Sequence, residues 1–521
     1  MNSSKWFKPT HVLMVWCAAG ASYGINVNAA PPSDSTSKPI VLTQRRQLFV
    51  DEFLIEKLDG LSPTLHQPVD YDSNPVIVPE QPWEHRRIPF GSIYYFPEES
   101  KFKCWYIASN IYDSRPGYRG YRAQHHVPLQ ESAFLCYAES TDGVRWTRPD
   151  LGLHEFRDSR HNNILLAHQG SHFDSMSVIY TPADKQWPFK LTIFQGAWPY
   201  KPDLIRKQWG EDFRFGIPRH GHYAWRSGDG IHFDQLGDGG PVLECSDRSM
   251  AWFNPDAQEY VYSAKVSHQG KRAQRYARSQ DLVNWQITET YIHTADGRDH
   301  PRDEAEASYG FKYEAQHLGY CELRRIRSDT VRIDAELMVS RDGRHWQRPL
   351  RQPWLGASDD PETWRYLVVK PFANPPIQRD GQLWIYYTGK TGEDGRRPDP
   401  ANDSTRPTQA ICLAKLRLDG FVSLQADAQP GLLLTKPIEL ANDTLYVNAD
   451  VRNGLLRAEI RQIDGRPIPG FTMDECHAVS GDRLRVPVSW KEKANVAELN
   501  NRPVQLRIEL TGGHLYSIWT E

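Results

Sequence analysis

Apolar and polar positions along this chain fall into short runs separated by turn residues, the pattern of strands rather than helices. Ile93-Tyr94-Tyr95-Phe96, a turn at Pro97-Glu98-Glu99-Ser100 and Phe102-Lys103-Cys104-Trp105-Tyr106-Ile107 read as a hairpin, and Ser132–Ala138 adds a third strand. The same order returns four times. It is seen at Ser177–Tyr180 with Phe189–Phe194, at Met250–Phe253 with Glu259–Ser263, at Ala307–Phe311 with His317–Cys321, and at Arg365–Val369 with Leu383–Tyr387.

Four of these sets end in one phrase: Ser140-Thr141-Asp142-Gly143-Val144-Arg145-Trp146, Ser227-Gly228-Asp229-Gly230-Ile231-His232-Phe233, Ser279-Gln280-Asp281-Leu282-Val283-Asn284-Trp285 and Ser340-Arg341-Asp342-Gly343-Arg344-His345-Trp346. Asp-Gly is tight-turn chemistry, because glycine accepts positive φ and the aspartate carboxylate caps nearby backbone N–H groups. The aromatic residue that follows re-enters a strand and can pack between sheets. A sheet unit repeated in this way predicts an all-β, five-bladed β-propeller.

The domain reading follows. Residues 1–30 form an export signal, with Lys5 and Lys8 before an apolar run at 11–21 that is too short to cross a bilayer, and Ala29 and Ala30 at a cleavage site. Residues 31–46 form a flexible leader, and 47–419 the propeller, with 47–55 expected to seal its ring. Residues 420–521, which lack the repeated phrase, form a small β-sandwich. The spans 112–130, 196–220 and 390–408 read as long loops. The protein is expected to be periplasmic or extracellular.

Composition narrows the partners. A net charge of -3 offers no field for nucleic acid or an anionic membrane. The 17 Trp and 24 Tyr suit blade packing and also the faces of sugar rings. Cys104, Cys136, Cys245, Cys321, Cys412 and Cys476 read as buried small hydrophobes. No nucleotide, zinc-protease or serine-hydrolase motif occurs in the mature chain, so no cofactor and no metal are expected.

In a propeller, residues just before each inner strand converge on one end of the central funnel. The five places here are Trp83-Glu84-His85-Arg86-Arg87, His172-Phe173-Asp174-Ser175, Glu244-Cys245-Ser246-Asp247-Arg248, Arg302-Asp303-Glu304-Ala305-Glu306 and Asp359-Asp360-Pro361-Glu362-Thr363-Trp364. Each carries a carboxylate, and carboxylates crowded at one opening split in pKa as acid/base work requires. Catalytic candidates are Glu84 as nucleophile or base, Asp174 as transition-state stabiliser, Asp247 and Glu244 as rival acid/bases, and Glu362. Trp83, Arg86, His172, Arg248, Arg302, Glu304 and Trp364 are candidates for substrate binding.

Tyr276–Trp285 resembles the blade-closing phrase of the invertase/levansucrase/arabinanase superfamily, and Leu243-Glu244-Cys245-Ser246-Asp247 resembles the invertase Glu-Cys-Pro-Asp acid/base motif with Ser246 in the Pro place. Of the Arg-Asp-Pro motif only Asp174 remains, and the first-blade nucleophile motif is absent, with Glu84 the nearest acid. More closely, the chain resembles a group of exported bacterial proteins similar to the invertase N-terminal domain. The resemblance implies a five-bladed propeller with a C-terminal β-sandwich and activity on glycosidic bonds. The expected function is a secreted glycoside hydrolase whose partner is a carbohydrate, neutral or acidic. Two alternatives stand beside it: a non-catalytic propeller that binds glycan or protein, and a phosphorylase or lyase on the same fold.

Overall fold

The computed structural model describes residues 38–84, 87–109, 133–167, 172–196, 221–328, 330–391 and 407–521. The export signal and most of the three expected loops therefore lie outside the described residues. Within them the chain is almost wholly β, with one 3-10 turn at Ala497–Leu499. No described helix is long and apolar enough to cross a membrane.

Five antiparallel sheets form the propeller. From the axis outward, blade one is Phe90–Phe96, Lys101–Ser109, Ala133–Ser140 and Ile164–Ala167. Blade two runs from His172–Tyr180 to Asp234–Gln235, blade three from Met250–Asn254 to Gln286–Thr294, and blade four from Glu304–Tyr313 to Pro353–Leu355. Small side chains on the inner strands tie neighbours together. Ser92 Oγ accepts the Val178 N–H at 3.1 Å, and Ser177 Oγ accepts the Ala251 N–H at 3.0 Å. Asn374 Oδ1 accepts the Ile93 N–H at 3.0 Å, joining blade five to blade one. Apolar residues cover both faces of the blades, so clusters fill the seams: Trp105, Phe173 and Tyr223 share one, Tyr106, Phe372 and Tyr386 another.

The repeated phrase forms the same turn four times. Each Ser Oγ donates to its Asp at 2.9–3.0 Å and accepts the N–H of the residue after that Asp at 2.8–3.0 Å. Gly143, Gly230 and Gly343 have φ of 71–79°, and Leu282 has φ 65°.

Two expectations need correction. The ring is closed by Val69–Asp70, paired with Gln409–Arg417 of blade five. Residues 47–55 do not close it: Gln47–Leu48 pairs with Gly513–Thr520, and Ile55–Asp59 begins by pairing with Gly431–Thr435. Leu48 and Val50 face the propeller core, whereas Phe49 and Leu54 enter the core of the second sheet, so this segment bridges the two. Blade five's inner strand is Lys370–Pro371 with Ile377–Arg379, not Arg365–Val369. Leu367 takes φ 58°, which a strand does not admit.

Beyond residue 420, strands wrap a separate apolar core that includes Leu433, Leu456, Leu506 and Leu515. The sheet draws in Ile55–Asp59 and Ser62–Leu65 and has nine strands on one path and its branches. The long strand Leu445–Arg461 shifts register between Val451 and Leu456, letting one sheet turn over this core. The six cysteines are free thiols, all buried except the half-buried Cys245.

Candidate functional site

Residues from all five blades act on one another at the end of the funnel where the inner strands begin. Blade one supplies Phe90 and Arg87, blade two Asp174 and Ser175, blade three Asp247 and Arg248, blade four Glu306 and Glu322, and blade five Lys370.

Two irregular turns build the centre. The inner strand of blade two bulges between Asp174 and Met176, and Ser175 takes φ 43°. Arg248, two residues before blade three's inner strand, takes φ 57°. The Arg248 N–H donates to Ser175 Oγ at 2.6 Å, and that hydroxyl donates to Asp174 Oδ1 at 2.6 Å. Non-glycine residues at positive φ cost energy and persist where the surroundings hold them. Asp174 and Arg248 are each 4% exposed.

The Arg248 guanidinium donates through Nη2 to Glu322 and lies 4.8 Å from the centroid of the Phe90 ring. The Lys370 ammonium lies 4.7 Å from the same centroid. Burial first, then the charge of Arg248, pulls Lys370 down to about 8, against the opposing pull of Asp174 and Glu322 and with a further push from Arg87.

A second group adjoins the first. Lys265 Nζ donates to Asp247 Oδ1 at 2.6 Å and lies 3.7 Å from Glu306 Oε1. Burial pushes the Asp247 carboxyl up. The charge and hydrogen bond of Lys265, with Ser246 and Arg248, outweigh that and hold it below the ordinary aspartate range. Glu306 is the bulge residue of blade four's inner strand, where register shifts between Ala305 and Ala307.

The structure brings together Asp174, Asp247 and Arg248 from the expected set. His172 shares Asp174's strand, with its side chain outside the described residues, and Arg86 also lies outside them. Glu304 sits at the edge of the cluster, bound by Arg272 and Arg324 at 2.7 Å each. Glu244 is exposed.

The others lie elsewhere. Glu84 is 0% exposed inside the body of blade one. It accepts hydrogen bonds from Tyr106, from Arg148 at 2.7 and 3.1 Å, and from the N–H groups of Glu80 and Gln81. Those bonds fill its lone pairs and leave no reactive face. Trp83 donates to Asn163 at 2.8 Å and packs on Phe156, so it holds the same blade together. Glu362 is exposed and Trp364 packs on the core of blades three to five, because the true inner strand starts six residues later. Arg302 points to solvent and reaches the Ser328 carbonyl at 3.4 Å.

Sequence reading missed Phe90, Lys265, Glu322 and Lys370, and it held Glu306 in its blade-four stretch without choosing it as a candidate. Glu306 and Lys370 were within reach of it: one is two residues past Glu304, the other directly after the run taken as blade five's inner strand. Glu322 and Lys265 sit on second strands, where nothing local marks them.

A cavity of about 460 Å3, lined by His66, Asp70, Tyr71, Lys415, Arg417 and Tyr516, lies at the seam between blade five and the second sheet and takes no part in this cluster.

No protein-family profile matches the chain, and no curated protein matches it. Solved structures do. A structure titled "Glycoside hydrolase" aligns at 13% identity over 67% of this chain and 92% of its own, with a TM-score of 0.43. The GH32 β-fructofuranosidase of Bombyx mori aligns at 10% identity over 88% and 93%, with a TM-score of 0.42. A structure titled for the GH130 family of mannoside phosphorylases, and for glycoside hydrolases in it that target β-1,2-mannosidic linkages in Candida mannan, aligns at 13% identity over 73% and 97%, with a TM-score of 0.41. The assignment of an activity rests on the residues of the site itself.

Proposed function

We propose that this protein is an exported carbohydrate-active enzyme, a glycoside hydrolase that works at the inner end of the propeller funnel. The observation that carries the reading is the pair Asp247 and Glu306 on one ammonium, beside the buried Asp174. Their nearest oxygens are no further apart than the two distances to Lys265 Nζ taken together. That limit admits the roughly 5–5.5 Å of a retaining pair and falls short of the roughly 6.5–9.5 Å of an inverting one. Asp247 is half-buried and held ionised, which suits a base or nucleophile. Glu306 is the partner carboxyl for the leaving oxygen, and Asp174 the charge that steadies the developing oxocarbenium ion. The export signal read at 1–30 supports work outside the cytoplasm.

The test is product release from a broad glycan panel by wild type and by Asp247→Asn, Asp174→Asn and Glu306→Gln. Wild type is expected to release sugar from at least one glycan, and Asp247→Asn to lower the rate by about 10²–10⁴-fold. A folded wild type that releases nothing overturns the reading.

A second reading has its own observation: the acids of this region are paired. Glu304 is held by Arg272 and Arg324, Glu306 by Arg272 at 3.4 Å, and Glu322 by Arg248. A funnel built this way suits a propeller that binds glycan without turning it over. It predicts saturable glycan binding with no product, unchanged by Asp247→Asn.

A further inference from the structure

We propose that the sugar taken at this site carries an anionic group, the carboxylate of a uronate or a sulfate or phosphate ester, and that Lys370 is its direct partner with Arg248 as a second charge behind it. The inference rests on the carbohydrate reading above and names its substrate class.

Buried lysines elsewhere in the propeller are matched. Lys190 donates to Thr181 at 2.6 Å and Asp184 at 2.8 Å, and Lys265 to Asp247 at 2.6 Å. The half-buried Lys370 ammonium makes no hydrogen bond and no ion pair among the described residues; its contact is the Phe90 ring. Arg248 is 4% exposed and its guanidinium uses only Nη2, for Glu322, while its Nε and Nη1 are buried without a partner among the described residues. Two cations thus flank one aromatic ring and repel each other, with Arg87 adding to the positive side and Asp174 and Glu322 to the negative. A partly desolvated ammonium with no counter-ion is costly to keep, and a π-face compensates only part of that cost. Methionine would fill the same space at no such cost. An arriving oxyanion removes the repulsion and gains a charge-assisted hydrogen bond from Lys370. Arg248, fixed by Ser175 and Glu322, does not move to meet it.

The test is calorimetric titration of the full mature chain at pH 6.5. The probes are galacturonate, glucuronate and mannuronate with their short oligomers, the 6-sulfates and 6-phosphates of the parent hexoses, the neutral parents, and inorganic phosphate alone. At least one charged sugar is expected to bind ten-fold or more tighter than its neutral parent. Lys370→Met is expected to abolish that margin and leave neutral binding intact, while Lys370→Arg retains it. The arms separate carboxylate from ester. In wild type the margin is expected to shrink as pH rises through about 8, where Lys370 loses its proton. Equal binding of charged and neutral sugars overturns the proposal, with or without phosphate binding, as does an unchanged margin in a Lys370→Met protein that melts like wild type. Hydrolysis of neutral glycans that depends on Asp247, without an anion margin, defeats this proposal and leaves the hydrolase reading standing. An anion margin that depends on Lys370, without cleavage of any glycan, does the reverse.

Discussion

His293 is a ring with nowhere to put a proton. It is 4% exposed on the outer strand of blade three, and neither ring nitrogen has a hydrogen-bond partner among the described residues. Burial first, then the charges of Arg348 and Arg351, pull it to about 3 against Asp299 and Asp296. A free histidine titrates near 6.5. Between those values the unfolded chain takes a proton that the folded chain refuses. Stability from this group is therefore complete above about pH 6.5 and declines as pH falls toward 3, by at most about 1.4 kcal/mol per pH unit. His293→Phe keeps the volume and removes the proton site. Urea midpoints at pH 7 and pH 4 should differ less for this variant than for wild type; equal losses in both would exclude His293 as a source of acid sensitivity.

At the scale of the element, the blade-closing turn is both a cap and a bolt. Asp142 accepts the N–H groups of Val144 and Arg145 at 2.9 and 2.8 Å. Burial pushes its carboxyl up, but these backbone donors, with the Arg145 and Ser140 side chains, hold it well below the usual carboxylate range. The turn's carbonyl then receives a side chain from the preceding blade. Tyr386 Oη donates to the Gly143 carbonyl at 2.8 Å, and Trp105 Nε1 to that of Gly230 at 2.7 Å. A Cβ on Gly143 would stand 2.6 Å from Tyr386 Oη and 2.9 Å from Trp384, whereas one on Gly152 would meet nothing within 4 Å; both have positive φ. Gly152→Ala should cost about 1 kcal/mol for backbone conformation alone, and Gly143→Ala some 1–3 kcal/mol more for overpacking. Equal melting points for the two would show that the turn does not fasten the blades. These turns were legible in the sequence because Ser, Asp and Gly act over a few residues. Blade five's inner strand was not, since Arg365–Val369 has strand composition and only the left-handed Leu367 excludes it. For the same reason Asp174, Asp247 and Arg248 could be found beside their strands, while Lys370 and Glu322 needed the pairing of distant strands to be seen.

Across the whole molecule, propeller and second sheet share one buried carboxylate. Asp419 is 0% exposed. Arg46 Nε, from the segment before the propeller, lies 2.9–3.0 Å from both of its oxygens. Tyr313 Oη, at the end of blade four's inner strand, donates to it at 2.7 Å. Ser517 Oγ and Asn448 Nδ2, from two strands of the second sheet, donate at 2.7 and 3.0 Å. Arg46, a blade and two strands of the second sheet therefore meet at one buried charge, and residues 47–55 run between both cores beside it. Removing one partner of a buried ion pair leaves the other charge uncompensated, at a cost of about 3–5 kcal/mol. Asp419→Ala strands three hydrogen-bond donors at once and leaves Arg46 with Glu314 as its remaining counter-ion, so its effect should reach the lower part of that range. Because the lost bonds join the two sheets, it should also uncouple them. Scanning calorimetry is expected to show one transition for wild type, and for Asp419→Ala a lower first midpoint with the second sheet and the propeller melting apart. Asp419→Asn, which keeps the shape and loses the charge, should fall between. A variant that melts with the wild-type midpoint in a single transition would mean that the apolar residues of 47–55, not this carboxylate, couple the two parts.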